Sequence, residues 1–161
     1  MNTISFVAIG TIHTPHKTLS DMPIQPNGAK GIGGFIELQE ELIEGLSDLD
    51  GFSHLTLLYH LHKVEKCELK VTPFMDSVPR GIFATRSPIR PNPIGLSTVK
   101  LKNIEGNRIH IEDVDMLDGS PLIDIKPFFG EMDNRYNVSL GWLDKSKGSC
   151  CETVRSDERF L

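Results

Sequence analysis

No apolar run in the sequence approaches the roughly 20 residues that a membrane-spanning helix needs. The longest, Leu55 to Leu61, is interrupted by Thr56 and His60. The opening residues, Met1-Asn2-Thr3-Ile4-Ser5-Phe6, have neither the basic start nor the apolar stretch of a signal peptide. Cysteine is scarce and its count is odd: there are 3, two of them adjacent at Cys150-Cys151 near a polar tail, which is no disulfide framework. Together these absences predict a cytoplasmic chain with no membrane partner. Positive charge is also short, with 17 Lys and Arg against 22 Asp and Glu and a formal net charge of -5. That balance excludes a broad basic footprint for nucleic acid, because phosphate contacts come from Lys and Arg; any RNA contact has to rest on a local patch. Strand-helix alternation is missing too, as are internal repeats, an interdomain linker and the Gly-rich strand-to-helix loop of doubly wound folds.

What remains is one domain of ordinary composition. The 161 residues suffice for one real core, with 39% hydrophobic and 24% charged residues. Short strands dominate the pattern. Val7 to Ile12 reads as a strand closing at Thr14-Pro15, and Phe35 to Leu38 as another. Between them, Thr18 to Gly34 is a long loop rich in Gly and Pro, a composition that shapes backbone rather than core. Leu38, Leu42, Leu46 and Leu49 recur at helical spacing and predict a helix ended by Asp50-Gly51. From Phe52 to Val64, Leu55, Leu57, Tyr59 and Leu61 share one face of a strand, while His54, His60 and His62 share the other. Further strands are predicted at Lys70 to Phe74, Gly81 to Thr85, Leu122 to Lys126 and Asn137 to Leu143. Thr98 to Ile104 and Arg108 to Glu112 form a hairpin. The predicted class is all-β: a small barrel with one main α-helix over residues 1–144, then a polar tail over 145–161.

Two segments carry the chemistry. In Arg86-Ser87-Pro88-Ile89-Arg90-Pro91-Asn92-Pro93, three prolines within six residues stiffen the backbone beside two arginines. A rigid loop of this kind meets a carboxylate or phosphate with little entropy lost on binding. In Asp115 to Phe128, the turn Asp118-Gly119-Ser120-Pro121 leads into an apolar strand, and Asp115, Asp118 and Asp124 gather carboxylates near its entrance. His60 and His62 share a face, but no established metal spacing follows from them, and no metal site is expected. Lys63, Lys66, Lys70, Arg80, Arg86 and Arg90 are the cations from which a local basic patch would be made.

These two segments resemble the signature of the TsaA-like family, also called the TrmO family. Ile9-Gly10-Thr11-Ile12, Pro23-Ile24-Gln25-Pro26, Gly51-Phe52-Ser53-His54-Leu55 and His62 match in the same order. The resemblance implies a β-barrel outside the doubly wound methyltransferase class, S-adenosyl-L-methionine as cofactor, and a homodimer. It also implies methylation of the exocyclic amino nitrogen of (threonylcarbamoyl)adenosine at position 37, in the anticodon arm of tRNA. By motif position the cofactor residues would be Ile24, Gln25 and Pro26, His62 and Lys63, Arg86, Leu96, and Asp118, Gly119, Ser120 and Pro121. Arg86 would pair with the methionyl carboxylate, Leu96 and Pro26 would cover apolar surface, and Asp118 would accept from ribose hydroxyls or the α-ammonium. Ile24 stands where many relatives have arginine, and Ser120 where threonine is commoner. The chain also ends soon after the predicted barrel, whereas many bacterial relatives continue into a second domain.

The catalytic group is not named by the sequence. The adenine amino nitrogen is a weak nucleophile, so catalysis is expected to be mostly positioning, with a proton acceptor between Asp115 and Ser120; Asp115 and Asp118 are the candidates. Two rival readings stay open: a methyltransferase acting on a small molecule, which the acidic balance favours, and a non-enzymatic S-adenosylmethionine-binding module, which the lack of an evident base favours.

Overall fold

The computed structural model describes residues 2–20, 22–24, 26–74 and 76–145. Gln25 and residues 146–161, nearly the whole of the expected polar tail, lie outside the described residues. Six strands close into a barrel: β1 (Gly10–His13), β2 (Gly33–Leu38), β3 (His54–His60), β6 (Ile94–Glu105), β7 (Arg108–Glu112) and β8 (Ser120–Pro127). Their order around the barrel is β1-β2-β7-β6-β3-β8, and every neighbouring pair is antiparallel. The pairing of Ile12 with Ser120 belongs to the seam between β1 and β8 that shuts the sheet, so no barrel edge is left to pair with another chain. The register shifts between Leu58 and Tyr59 and between Leu101 and Asn103, irregularities of the kind that add the curvature closure needs.

Alternation fills the barrel. Leu55, Leu57 and Tyr59 point inward from β3, in the stripe the sequence predicts, and meet Ile12, Ile36, Val99, Ile109, Ile111 and Leu122. Burying each of these aliphatic side chains is worth about 1.5–3 kcal/mol. Val114 and Met116, from the connection between β7 and β8, plug one end of the same core.

Antiparallel pairing throughout sorts the connections between two rims. The ends of β1, β3 and β7 and the starts of β2, β6 and β8 share one rim, which therefore carries the long connections 14–32, 61–93 and 113–119. The opposite rim carries 39–53 and the tight turn 106–107. The connection 61–93 has a small core of its own, Val71, Ile82 and Ile89 with Val64 against it, under a two-stranded ribbon of β4 (Lys70–Val71) and β5 (Arg80–Gly81).

Three expected elements differ. The segment Leu38 to Leu49 is helical but wound as 3-10 turns, Glu40–Leu46 and Leu49–Gly51, while Leu38 belongs to β2. Only Leu46 and Leu49 of the leucine stripe reach the core from these turns, and Asp48 breaks them with φ 64. Among the described residues the α-helical turn is α1 (Gly130–Asp133). The expected strand Gly81 to Thr85 is a 3-10 turn at Ile82–Ala84 that buries Ile82 and turns Phe83 outward. Asn137 to Leu143 is not a strand: Asn137 (φ 60) and Gly141 (φ 60) break the extended run, Val138 and Leu140 face outward, and a 3-10 turn follows at Gly141–Lys145. That turn seats Trp142, whose indole N–H donates to the Ala84 carbonyl at 2.7 Å.

Candidate functional site on one barrel rim

The residues singled out by the sequence lie on the rim with the long connections. Tyr59 is paired with Gly95 on β6 and with Leu122 on β8, and His60 with Ile94. The end of β3 and the starts of β6 and β8 thus bring His62 and Lys63, Leu96, and Ser120 and Pro121 to one wall. The Leu61 amide donates to the Pro93 carbonyl at 2.8 Å, which ties the loop after β3 to the end of the Pro-rich segment. Leu96 faces out of the barrel and is 54% exposed. The 3-10 turn that begins at Pro26 lies against β6, and Ile24 just before it is half-buried. His62 has its pKa lowered, first by burial and then by Lys63 and His60, so its ring is neutral at neutral pH.

The Pro-rich loop is as rigid as its composition implies. Thr85 Oγ1 donates to the Ile82 carbonyl at 2.9 Å and accepts from the Ser87 amide at 3.2 Å. The Arg90 amide donates to the Pro88 carbonyl at 2.8 Å, and the Arg90 guanidinium reaches the Thr85 carbonyl at 3.5 Å. Arg86 is left exposed at the bend, and among the described residues its guanidinium makes no ion pair or hydrogen bond. Ser87 beside it has a buried hydroxyl without a hydrogen-bond partner there. Of the expected basic cluster, Arg80 is already engaged: it pairs with Asp76 at 2.7 Å and lies over the Trp142 ring at 5.7 Å.

The two candidate carboxylates part company. Asp118 turns toward β1. Its Oδ1 accepts from the Thr14 amide at 2.9 Å, its Oδ2 pairs with Lys17 at 2.7 Å, and His13 stands 3.8 Å away. The hydrogen bond from Lys17 leads the effects that hold its pKa below the ordinary carboxylate value. Around it His13, Thr14, Pro15, Lys17, Gly34 and Phe35 line a surface cleft of about 400 Å³, on the β1–β2 side of the rim and not at the β3–β6–β8 wall. Gly119 has φ 76, the left-handed turn that Asp118-Gly119 implies, and the Ser120 hydroxyl donates to the Leu117 carbonyl at 2.7 Å.

Asp115 turns the other way, into the barrel. It is 9% exposed, and its Oδ1 accepts from Ser97 Oγ at 2.7 Å. Ser97 Oγ lies 3.1 Å from the Tyr59 hydroxyl. Burial pushes Asp115 up to about 6, against the opposing pull of Ser97, its own backbone amide and the charge of Arg86. Tyr59 is raised far above its ordinary value, first by burial and then by the Asp115 charge, so it stays protonated. The sequence did not single out Tyr59 or Ser97 as site residues. A tyrosine within an otherwise aliphatic stripe was the available sign, since a buried phenol seeks a partner.

A closed antiparallel barrel of six strands is an architecture of a class distinct from doubly wound sheets. A match to the tRNA-methyltransferase O N-terminal domain family spans residues 11–134, and the chain belongs to that family. It is 48% identical over 158 residues to a probable S-adenosyl-L-methionine-binding protein of Pyrococcus abyssi (strain GE5 / Orsay), covering 98% of this chain and 85% of that protein. It is 43% identical over 96 residues to the human tRNA (adenine(37)-N6)-methyltransferase, covering 58% of this chain and 22% of that protein. The crystal structure of TrmO from Pseudomonas aeruginosa superposes with a TM-score of 0.73 at 32% identity, covering 87% of this chain and 62% of that one. This chain therefore spans under two thirds of that solved relative and about a fifth of the human one. Among the described residues no helix is long and apolar enough to cross a membrane, and no group of His, Cys, Asp and Glu is arranged to hold a metal ion.

Proposed function

We propose that this chain is an S-adenosylmethionine-dependent methyltransferase that modifies the exocyclic amino nitrogen of adenosine at position 37 of tRNA, including its threonylcarbamoyl form. The observation that carries the reading is the exposed Arg86 guanidinium, unpaired among the described residues, on a stiff loop at the rim that also holds Leu96 and His62, in a chain of this family. The wall fits the cofactor chemically. Arg86 offers a fixed cation for a carboxylate, Leu96 apolar cover, and the Ser87 hydroxyl, without a partner among the described residues, a further polar contact. Ile24, Gln25, Pro26, Lys63, Gly119, Ser120 and Pro121 complete the proposed binding set. Asp118 belongs to it through its rim position, although its carboxylate is held by Thr14 and Lys17.

When bound, S-adenosylmethionine supplies a methyl group already activated by its sulfonium charge. The protein's part is then positioning: the rim holds the amino nitrogen in line with that methyl group and excludes water. A carboxylate of the 113–119 connection, Asp115 or Asp118, takes the amino proton. The substrate base is unpaired and so reachable by the rim, as RNA readers generally require.

The same proposal takes residues 1–144 as the working domain and a homodimer in the cytoplasm as the working unit. Two copies of a local patch built on Lys63, Lys66, Lys70 and Arg90 would flank the anticodon arm, a two-fold arrangement common among soluble oligomers. Incubating tRNA with the protein and labelled cofactor, then analysing nucleosides by mass spectrometry, tests the activity; a labelled small molecule and unlabelled tRNA would favour the small-molecule reading instead. Binding of tRNA should weaken with salt, because neutralised phosphates release counterions. Lys66→Glu with Lys70→Glu should lower tRNA methylation and leave cofactor affinity intact. Arg86→Ala should weaken cofactor binding by about 1.5–3 kcal/mol, the range for hydrogen bonds to a charged group, and calorimetry showing no change would sink the carboxylate assignment.

A further inference from the structure

The interior of the functional rim holds a polar chain that a barrel built only for stability has no need of. Tyr59 from β3, Ser97 from β6 and Asp115 from the 113–119 connection are buried side by side, linked at 3.1 Å and 2.7 Å. Ser97 has one hydroxyl hydrogen and gives it to the Asp115 carboxylate, so the Tyr59 hydroxyl must be the donor in the bond between them. The chain therefore has one direction: Tyr59 donates to Ser97, and Ser97 donates to Asp115. Room for the phenol ring is made by Gly95, directly across from Tyr59, where any Cβ would lie 2.3 Å from the ring.

We propose that Asp115 is the group that receives the amino proton during methyl transfer, and that Ser97 and Tyr59 are positioning residues that aim its carboxylate. This rests on the methyltransferase reading above and goes beyond it by choosing between the two aspartates. Asp118 is a poor choice because the Thr14 amide and Lys17 occupy its two oxygens. The Asp115 carboxylate accepts from the Ser97 hydroxyl and, among the described residues, pairs with no cation, so it keeps lone pairs for the proton. The groups acting on it are Ser97 from β6, its own backbone amide and the charge of Arg86 from the 61–93 connection, with Tyr59 from β3 behind Ser97. Arg86 acts by charge without a hydrogen bond, so the carboxylate lies within electrostatic reach of the loop proposed to hold the cofactor.

The step balances. The nitrogen lone pair forms the new N–C bond, and the methyl carbon's bond to sulfur breaks with its electron pair passing to sulfur. The nitrogen then carries a positive charge. The Asp115 carboxylate takes its proton, the N–H electrons return to nitrogen, and a neutral methylated amine is left beside a neutral carboxylic acid. The acid then releases the proton to water.

The test is single-turnover methyl transfer to tRNA across a pH series, with cofactor affinity and thermal melting of the cofactor-free protein measured on each variant. Asp115→Asn still accepts from Ser97 but cannot take a proton. It should lose at least about 100-fold in rate, as expected for loss of a general base, with cofactor affinity within about threefold of the parent. The parent should lose rate on the acid side of pH about 6, where Asp115 protonates. Ser97→Ala removes a donor that favours the charged carboxylate and should move that limb to higher pH; Ser97→Thr should restore it, and Tyr59→Phe should move it less than Ser97→Ala. In the cofactor-free protein, the pH dependence of melting should flatten in Asp115→Asn. A parent that transfers label while Asp115→Asn matches its rate, or an acid limb that Ser97→Ala leaves in place, overturns the proposal alone. A parent that labels no RNA overturns the methyltransferase reading and this proposal with it.

Discussion

Asp115 and Asp118 sit on one seven-residue connection, 113–119, yet the regions they enter treat a carboxylate in opposite ways. On the β1 side, Asp118 is half-exposed and held by a backbone amide and a lysine, and its negative form is favoured. On the β3–β6 side, Asp115 is buried, and the Ser97 hydroxyl, its own amide and the charge of Arg86 offset only part of the cost of burial, so its negative form is disfavoured. The first arrangement stabilises the fold. The second costs stability at neutral pH and keeps a carboxylate able to exchange its proton there, a pattern expected of sites shaped for chemistry.

The sharpest way to break the contrast is Asp115→Asn. The folded Asp115 holds its proton up to about 6, above the unfolded value of 3.8. Its contribution is therefore most favourable below pH 3.8 and is lost as pH rises toward 6, a difference on the order of 3 kcal/mol. The amide variant should be more stable than the parent at pH 8 by roughly 1–3 kcal/mol and nearly equal to it at pH 4. Urea melts at both pH values would show this, and a variant weaker than the parent at pH 8 would remove the cost assigned to Asp115.

Glycine substitutions should give the next largest effect and differ between the regions. Gly95→Ala places a methyl 2.3 Å from the Tyr59 ring and should destabilise by about 1–3 kcal/mol, as overpacking does. Gly119→Ala, in the Asp118 turn, meets open space and should cost about 1 kcal/mol, through its φ of 76 alone. Equal losses in thermal melts would mean that the Tyr59 seat is soft.

Asp118→Ala should destabilise by about 1–2 kcal/mol, because the Thr14 amide loses its acceptor. The pH dependence runs opposite to that of Asp115. Stability from Asp118 is present above the ordinary carboxylate value and is lost as pH falls through its lowered value. A parent-minus-variant difference that grows on acidification would contradict the assignment. Lys17→Met should have the smallest effect, below about 1 kcal/mol and shrinking further in salt, because Lys17 is largely exposed.

The barrel was legible because alternation is a local property. Leu55, Leu57 and Tyr59 had to share a face whatever surrounded them, and the hairpin at 106–107 announces itself in Glu105-Gly106-Asn107. Elements whose form depends on what they touch were less legible. The leucine spacing 38, 42, 46 and 49 suits a helix, but Leu38 is drawn into the barrel by its pairing with Gly10, and Asp48 interrupts what remains. The run Asn137 to Leu143 has strand-forming residues but no neighbouring strand among the described residues to pair with.

By itself, the sequence determined the all-β class, the stiffness of the Arg86 loop and the presence of carboxylates at the entrance to β8, because periodicity, proline geometry and turn chemistry act over a few residues. Only the tertiary structure decided which carboxylate is which. Asp115 and Asp118 look alike on the chain, and their difference comes from partners 18 and 104 residues away: Ser97 inside the barrel and Thr14 just past the end of β1. Burial and hydrogen bonding set the proton affinity of a carboxyl, and both are properties of the closed barrel, not of the sequence around the residue.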